Sequence, residues 1–313
     1  MDVRSDRVAG VLVGAACGDA LGVPYEFGTR ALDGEPLMFG GGLGDYAPGE
    51  YSDDTQMAVC IAEVAATGAD LREAHGLDLV ASKFLRWRAE GATDIGVQTR
   101  RVLDAVRGRD TVGLGAAMTR AAAELHAETG RSAGNGSLMR TGPVALRYLD
   151  DPAGMMEAAR AVSELTHLDP LAGEACVIWC EAVRQAVLHG TFDGVRAGVD
   201  LLPAERRAQW SGWLDEAERH APAHFPNNGF VVTALQAAWS AIVRTPEDDH
   251  FRRAASAAVH AGNDTDTIAA IAGALLGARW GMSGIPQEWL KVVHGWDGYR
   301  ASELARLALR VAG

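Results

Sequence analysis

The chain has 313 residues, 48% of them hydrophobic, with 29 Lys and Arg against 41 Asp and Glu and a net charge of −12. Such a length can bury a large core, as one big domain or two ordinary ones. The acidic balance excludes a protein that grips a nucleic-acid backbone, which needs a basic footprint.

Two arginines and two aspartates share the first seven residues, and the apolar run over 8–23 is interrupted by Asp19, so no signal peptide is expected. Gly14, Gly18 and Gly22 recur at four-residue spacing in this first helix, and Gly273 and Gly277 do so near the other end. A glycine costs about 1 kcal/mol of helix propensity, but its missing side chain lets two backbones approach closely. These two helices, at opposite ends of the chain, are therefore expected to be packed centrally, which would bring the two acid clusters near each other.

Further helices are predicted over 53–67, 114–129, 154–166, 171–189, 228–243, 251–261 and 266–280, where apolar residues recur three and four apart. Within 171–189, Ala175, Ile178, Trp179, Ala182, Ala186 and Val187 form one such stripe. Strict two-residue alternation and strand–helix alternation are nearly absent, so the fold is expected to be all-α.

Three stretches interrupt the helices. Residues 28–52 hold seven glycines with Pro36 and Pro48, and a loop that long in a compact domain is functional or disordered. Residues 130–142 are rich in Gly and Ser. Residues 220–229 carry His220, Pro222, His224, Pro226 and Asn227-Asn228-Gly229; Pro222 argues against a continuous helix presenting the two histidines to a metal. No linker, composition shift or fixed-period repeat appears, so 1–313 is read as a single domain. Cys17, Cys60, Cys176 and Cys180 form no CxxC and are read as reduced core residues of a cytoplasmic protein. The longest uncharged stretch near the C-terminal end, 267–278, is too short to span a bilayer, and no membrane association is expected.

Two short segments carry the chemistry. Ser52-Asp53-Asp54-Thr55 precedes one Ala-rich helix and Asp264-Thr265-Asp266-Thr267 precedes another. One such side chain would serve as an N-cap, and acids there favour the helix dipole; four oxygen-bearing residues in a row are a surplus. The second segment lacks the third acid and the turn glycine of an EF-hand loop, and no HExxH or Cys/His spacing indicates zinc. Converging carboxylates need counterions, and hard divalent cations such as Mg²⁺ or Mn²⁺ prefer carboxylate, hydroxyl and water oxygens. Glu26, where the first helix ends, is a natural fifth acid. Asp19, inside that helix, reads better as a structural polar contact than as a ligand.

The ordered motifs GDALGVPYE, YSDDTQM, GNGSLMR, TH and GNDTDT, spread over about 7–281, together resemble the ADP-ribosylglycohydrolase family, which includes dinitrogenase reductase-activating glycohydrolases and animal ADP-ribosyl hydrolases. The resemblance implies an all-α orthogonal bundle with a binuclear Mg²⁺ or Mn²⁺ centre between helix N-termini, cleaving ADP-ribose from an attached group. Carried over motif by motif, it makes Ser52, Asp53, Asp54, Asp264, Asp266 and Thr267 the metal ligands, with Ser52 standing where many relatives have Thr. It makes Glu26 the glutamate beside the metals, which can ligate them or act catalytically on the reacting centre. Ser132 and Gly134-Asn135-Gly136-Ser137 would hold the ribose and diphosphate, and His167 would lie on the nucleotide side. Thr93-Asp94-Ile95-Gly96 resembles the segment that faces an arginine leaving group in the dinitrogenase reductase-activating branch, although Asp94 equally suits a cap on the next helix.

The implied reaction is hydrolysis at the anomeric carbon, with metals binding ribose hydroxyls and holding or activating water. Glu26 or Asp94 would be the general base or leaving-group partner, and 28–52 a lid. The substrate would be an ADP-ribosylated protein, ADP-ribosyl-arginine first, or a small ADP-ribose conjugate such as a serine-linked or O-acetyl form. A metal-dependent nucleotide phosphohydrolase and a non-catalytic ADP-ribose-binding protein are the alternatives. The eight tryptophans are read as core or helix-face residues, one of them available to stack on adenine.

Overall fold

The computed structural model describes all 313 residues, 1–313. Fifteen α-helices follow one another with no strand longer than an isolated bridge. The first seven are α1 (Val3–Gly22), α2 (Asp53–Ala65), α3 (Ala74–Ala89), α4 (Val97–Ala105), α5 (Leu114–Thr129), α6 (Gly142–Arg147) and α7 (Pro152–Glu164). They are followed by α8 (Pro170–His189), α9 (Gly194–Asp200), α10 (Ala204–Arg219), α11 (Val231–Val243) and α12 (His250–Val259). The chain ends with α13 (Thr265–Trp280), α14 (Gln287–Val292) and α15 (Ala301–Ala312). The fold is all-α, as the periodicity predicts.

The axis of the bundle is the pair α1 and α13, which lie antiparallel and make the most extensive helix–helix contact in the molecule. The sequence explains the closeness. A methyl group at Gly10, Gly14 or Gly18 would overlap the backbone of Gly277, Gly273 or Ala269, and one at Gly22 would overlap Asp266. Backbone against backbone leaves no room for any Cβ there, so the lost helix propensity is offset by close packing. Because the pair is antiparallel, the last turn of α1 meets the first turn of α13. That register sets Glu26 beside the acids at 264–267.

Around this pair, α1 is buried from Val8 to Gly22. It is long and apolar enough to cross a membrane by composition, yet its apolar stretch is wholly buried in the bundle. Of the remaining helices, α2 and α11 are buried almost all round and α15 turns one apolar face inward, and the buried indoles find partners. The indoles of Trp87, Trp179 and Trp210 donate to Gln56 Oε1, the Ile271 carbonyl and Glu174 Oε2 at 2.6, 3.1 and 2.7 Å. All four cysteines are buried and unpaired. Residues 28–52 are irregular but tied down: Leu37 N–H donates to the Tyr25 hydroxyl at 2.9 Å, and Tyr51 N–H to the His294 carbonyl at 3.0 Å. The rings of His220 and His224 stack face to face with centroids 3.9 Å apart, His220 just past the end of α10 and His224 on a short 3-10 turn.

Candidate active site

Ordinary capping sets a reference for the acidic helix starts. Asp2, Asp151 and Asp169 each precede a helix, and each accepts a hydrogen bond from its first turn, as an N-cap should. Ser52 and Asp264 occupy the same position before α2 and α13, and neither caps its own helix.

The first turn of α2 is instead capped from another helix. Asp19 of α1 accepts from Ser52 N–H and Ser52 Oγ, both at 2.8 Å, and from Thr55 N–H at 3.0 Å and Thr55 Oγ1 at 2.6 Å. Two backbone N–H groups and the hydroxyls beside them favour the ionised form of Asp19. Burial raises Asp19 to about 6 against the pull of these bonds, which leaves it a carboxylate at neutral pH. Asp19 thus makes the structural contact expected of it while also standing in a carboxylate group with Asp54 and Asp266, and its service frees the local acids Asp53 and Asp54 from capping.

Those acids converge with the start of α13. Carboxylate oxygens of Asp19, Asp54 and Asp266 all lie within 4.8 Å of one another, as do those of Glu26, Asp264 and Asp266. The Ser52 hydroxyl lies 2.8 Å from Asp19, 2.9 Å from Asp54 and 3.2 Å from Asp266, but it has one proton for three carboxylates. Asp54 Oδ1 is buried with no partner at all. Burial foremost, then the neighbouring acids, push Asp53, Asp54 and Asp266 well above the usual carboxylate range. Asp264 is raised by burial as well. Such a cluster must hold either protons or cations. An all-oxygen set of carboxylates and hydroxyls fits hard divalent cations, so the residues present suit the metal centre that the fold family implies.

The second acid pair lies nearer the mouth. Glu26 follows α1 on a tight turn, and the next residue, Phe27, takes a left-handed φ of +44° while its N–H donates to the Asn263 carbonyl at 2.6 Å. Asp94 meets Glu26 carboxyl to carboxyl. Burial, Asp94, Asp264 and Asp53 push Glu26 up to about 9, which favours a proton on Glu26 beside Asp94. Asp94 does not cap the following helix: α4 begins after Gly96 without a side-chain cap, and Asp94 Oδ2 is buried and unpartnered.

A cavity of about 370 Å³ opens over these groups, lined by Glu26, Asp53, Asp94, Asp264, Asp266 and Thr267 on one side and by Gly134, Asn135, Gly136 and His167 on the other. Its mouth is apolar, formed by the exposed side chains of Phe27, Leu43 and Val97. No tryptophan lines it. Asn135 joins the two sides, donating from Nδ2 to Asp264 Oδ2 at 2.7 Å and to the Asn228 carbonyl at 2.9 Å. The His167 ring lies against the Gly-Asn-Gly turn, where a Cβ at Gly136 would come within 3.1 Å of it, so the glycines make room for a side chain as well as exposing backbone. Burial and the charge of Arg140 lower His167 to about 3, which keeps the ring neutral.

Not every residue picked from the sequence reaches the cavity. Ser132 and Ser137 do not line it: Ser132 Oγ is 2.6 Å from His126 Nδ1, and Ser137 Oγ accepts from Ser163 Oγ at 2.9 Å. Ser52 and Asp54 lie behind the wall, fully buried under Asp53 and Asp266. Sequence reasoning missed Gln98 and Thr99 of α4, which line the cavity; Gln98 pins the loop by donating to the Ser132 and Thr166 carbonyls at 3.0 and 2.9 Å. It also missed Asn228, whose amide donates to the Gly262 carbonyl at 2.8 Å and accepts from Asp264 N–H at 3.2 Å.

A helical bundle whose two central helix starts pour carboxylates into one polar cavity is a hydrolase scaffold. The chain belongs to the ADP-ribosylglycohydrolase family, whose sequence model matches residues 1–313, and it is an enzyme acting on glycosyl bonds. It is 30% identical to the ADP-ribosylarginine hydrolase Tri1 of Pseudomonas putida, over 92% of this chain and 74% of that protein. It is 28% identical to the ADP-ribosyl-[dinitrogen reductase] glycohydrolase of Rhodospirillum rubrum, over 91% of this chain and 89% of that protein. Among solved structures, an ADP-ribosylglycohydrolase-related protein complex superposes with a TM-score of 0.75 at 28% identity, over 100% of this chain and 99% of that one.

Proposed function

We propose that the protein hydrolyses the bond between ADP-ribose and an arginine side chain of a modified protein, and that it needs two divalent cations, Mg²⁺ or Mn²⁺, to do so. The observation that carries this reading is the pair of acidic helix starts whose own acids do not cap them, with one hydroxyl proton among three carboxylates and a buried orphan oxygen on Asp54. Ser52, Asp53, Asp54, Asp264, Asp266 and Thr267 would hold the cations. When bound, the cations supply positive charge that orients ribose hydroxyls and acidifies water.

The chain's own residues do the rest. Asn135 fixes Asp264, and the Asp19 bonds fix the start of α2, so the cluster is preorganised. The Glu26–Asp94 pair shares one proton beside the cluster. It can take a proton from the attacking water as the C–O bond forms and return one to the departing guanidine as the C–N bond breaks. The unpartnered Asp94 oxygen suits a guanidinium, which carboxylates bind in paired hydrogen bonds. Relatives named for the arginine linkage support that choice of acceptor.

The test is release of free ADP-ribose from an ADP-ribosyl-arginine substrate with Mg²⁺ or Mn²⁺, beside EDTA and Asp264→Ala controls. Release lost in both controls is the expected result. Turnover of serine-linked or O-acetyl ADP-ribose alone would discard arginine, AMP as product would move the attack to phosphorus, and binding without turnover would leave a non-catalytic protein.

A further inference from the structure

Beneath the cavity floor lies Arg140, fully buried and engaged in no salt bridge. Its Nη1 points at Met57 Sδ at 3.4 Å, its plane covers the Phe84 ring at 4.6 Å, and its Nε has no partner. A buried cation with so little compensation is costly, so the one strong bond it makes matters. That bond runs from Nη2 to Thr166 Oγ1 at 2.7 Å. The same hydroxyl lies 2.7 Å from His167 Nδ1.

Donor bookkeeping settles the direction of this chain. A guanidinium only donates, so Thr166 must accept from Arg140. Thr166 is fully buried and its hydroxyl has these two partners alone. Its own proton therefore has one place to go, the Nδ1 lone pair of His167. The ring proton is left on Nε2, which faces the Gly-Asn-Gly turn of the cavity: a Cβ at Gly134 or Gly136 would lie 3.3 or 3.2 Å from Nε2.

We propose that Arg140 and Thr166 are positioning residues that lock His167 as the Nε2–H tautomer, making its cavity-facing nitrogen a fixed donor to an oxygen of the bound ribose-diphosphate. The ligand half of this inference rests on the proposed function; the state of the ring does not. A neutral donor of fixed direction selects oxygen acceptors without adding charge to a site whose other wall is acidic. A side chain in place of Gly134 or Gly136 would crowd that nitrogen, which accounts for both glycines.

Two-bond ¹H–¹⁵N correlation of the histidine rings in the full-length, Mg²⁺-loaded protein tests the lock directly, with His167 assigned by its loss in His167→Asn. The parent is expected to show the Nε2–H tautomer from mildly acidic to mildly alkaline pH. Thr166→Val, similar in shape but without the hydroxyl, is expected to mix the tautomers and weaken ADP-ribose binding about tenfold, the worth of one hydrogen bond to a charged group. KM should rise with that Kd while kcat changes far less, and Thr166→Ser should recover both ring state and affinity. A proton on Nδ1 in the parent overturns the lock without any variant, as does a Thr166→Val protein that keeps both tautomer and affinity. A parent with the Nε2–H ring but no affinity for ADP-ribose would overturn the ligand half, and the proposed function with it, while the lock stands.

Discussion

The starts of α2 and α13 look alike in sequence and are built differently. The α2 start reaches the cavity only through Asp53 and is otherwise sealed: Ser52, Asp54 and Thr55 are buried, and its first turn is held by Asp19 from a neighbouring helix. The α13 start faces the cavity and is held by the loop residues Asn135 and Asn228 and, through the Thr265 hydroxyl on the Gly22 carbonyl at 2.8 Å, by the last residue of α1. One side is a rigid frame and the other a working surface. Capping duty is the difference: where a carboxylate from elsewhere satisfies the helix, the local acids are free for other chemistry.

The largest effect that separates the two sides is expected from Asp264→Ala. Removing a cavity-facing carboxylate should cut turnover on the order of 10³-fold, as loss of a preorganised electrostatic group does. The metal-free protein should be no less stable, because a repelling buried charge has gone. A melting temperature that falls together with activity would show that α13's start is as structural as α2's.

Asp19→Ala is next and should reverse the pattern. It strands three donors at the α2 start, two of them backbone N–H groups, since the Ser52 hydroxyl keeps Asp54 and Asp266, and each buried orphan costs about 1–3 kcal/mol. Relief of repulsion offsets part of this, leaving a loss of about 3 kcal/mol, readable by chemical denaturation. An Asp19→Ala protein of parental stability but without activity would make Asp19 a ligand rather than a cap.

The pH response is smaller and belongs to the cluster as a whole. Glu26 is raised from 4.5 to about 9 in the folded chain, and Asp53, Asp54, Asp264 and Asp266 are also raised. A group raised on folding binds more protons in the folded state, so its stabilisation is complete below the unfolded value and is lost as pH rises through the folded one. The metal-free protein should therefore lose melting temperature from these groups between about pH 4.5 and about pH 9. Mg²⁺ should raise the melting temperature more at the alkaline end, where ionised acids compete for it without protons. An Mg²⁺ increment that is equal at both ends would mean that these acids do not bind it.

Much of this was legible in the chain, for identifiable reasons. The glycine spacing at 14, 18 and 22 against 273 and 277 announced the central pair, because only backbone contact makes glycine useful inside a helix. The doubled acids announced the cluster, because capping needs fewer oxygens. The helices α10 and α15 were not read, although Trp210, Leu214 and Ala217 in one, and Leu304, Leu307, Ala308 and Val311 in the other, bury a helical stripe. Short α4 buries only Thr99, Val102 and Leu103, too little periodicity to find it. The serines at 132 and 137 were misplaced because a glycine-rich loop does not reveal which way its side chains turn. The capping of α2 by Asp19 spans 33 residues of sequence, and no local pattern encodes it.

Asn228 gives the smallest and most diagnostic prediction. The sequence shows it only as part of an Asn-Asn-Gly turn, yet its amide bridges the Gly262 carbonyl and Asp264 N–H while its carbonyl accepts from Asn135. It touches no cavity-lining oxygen except through Asp264 and Asn135, so it acts by orienting them. Asn228→Ala should lower kcat about tenfold to a hundredfold, the range seen when partners of metal-binding groups are removed, and should raise the Mg²⁺ concentration needed for half activity. Asn228→Asp places a carboxylate where Asp264 already repels its neighbours, so it should be the worse substitution despite its closer shape. If both variants keep the parental Mg²⁺ dependence, the loops around α13 do not orient the cluster, and the contrast between a sealed helix start and a tunable one fails on that side.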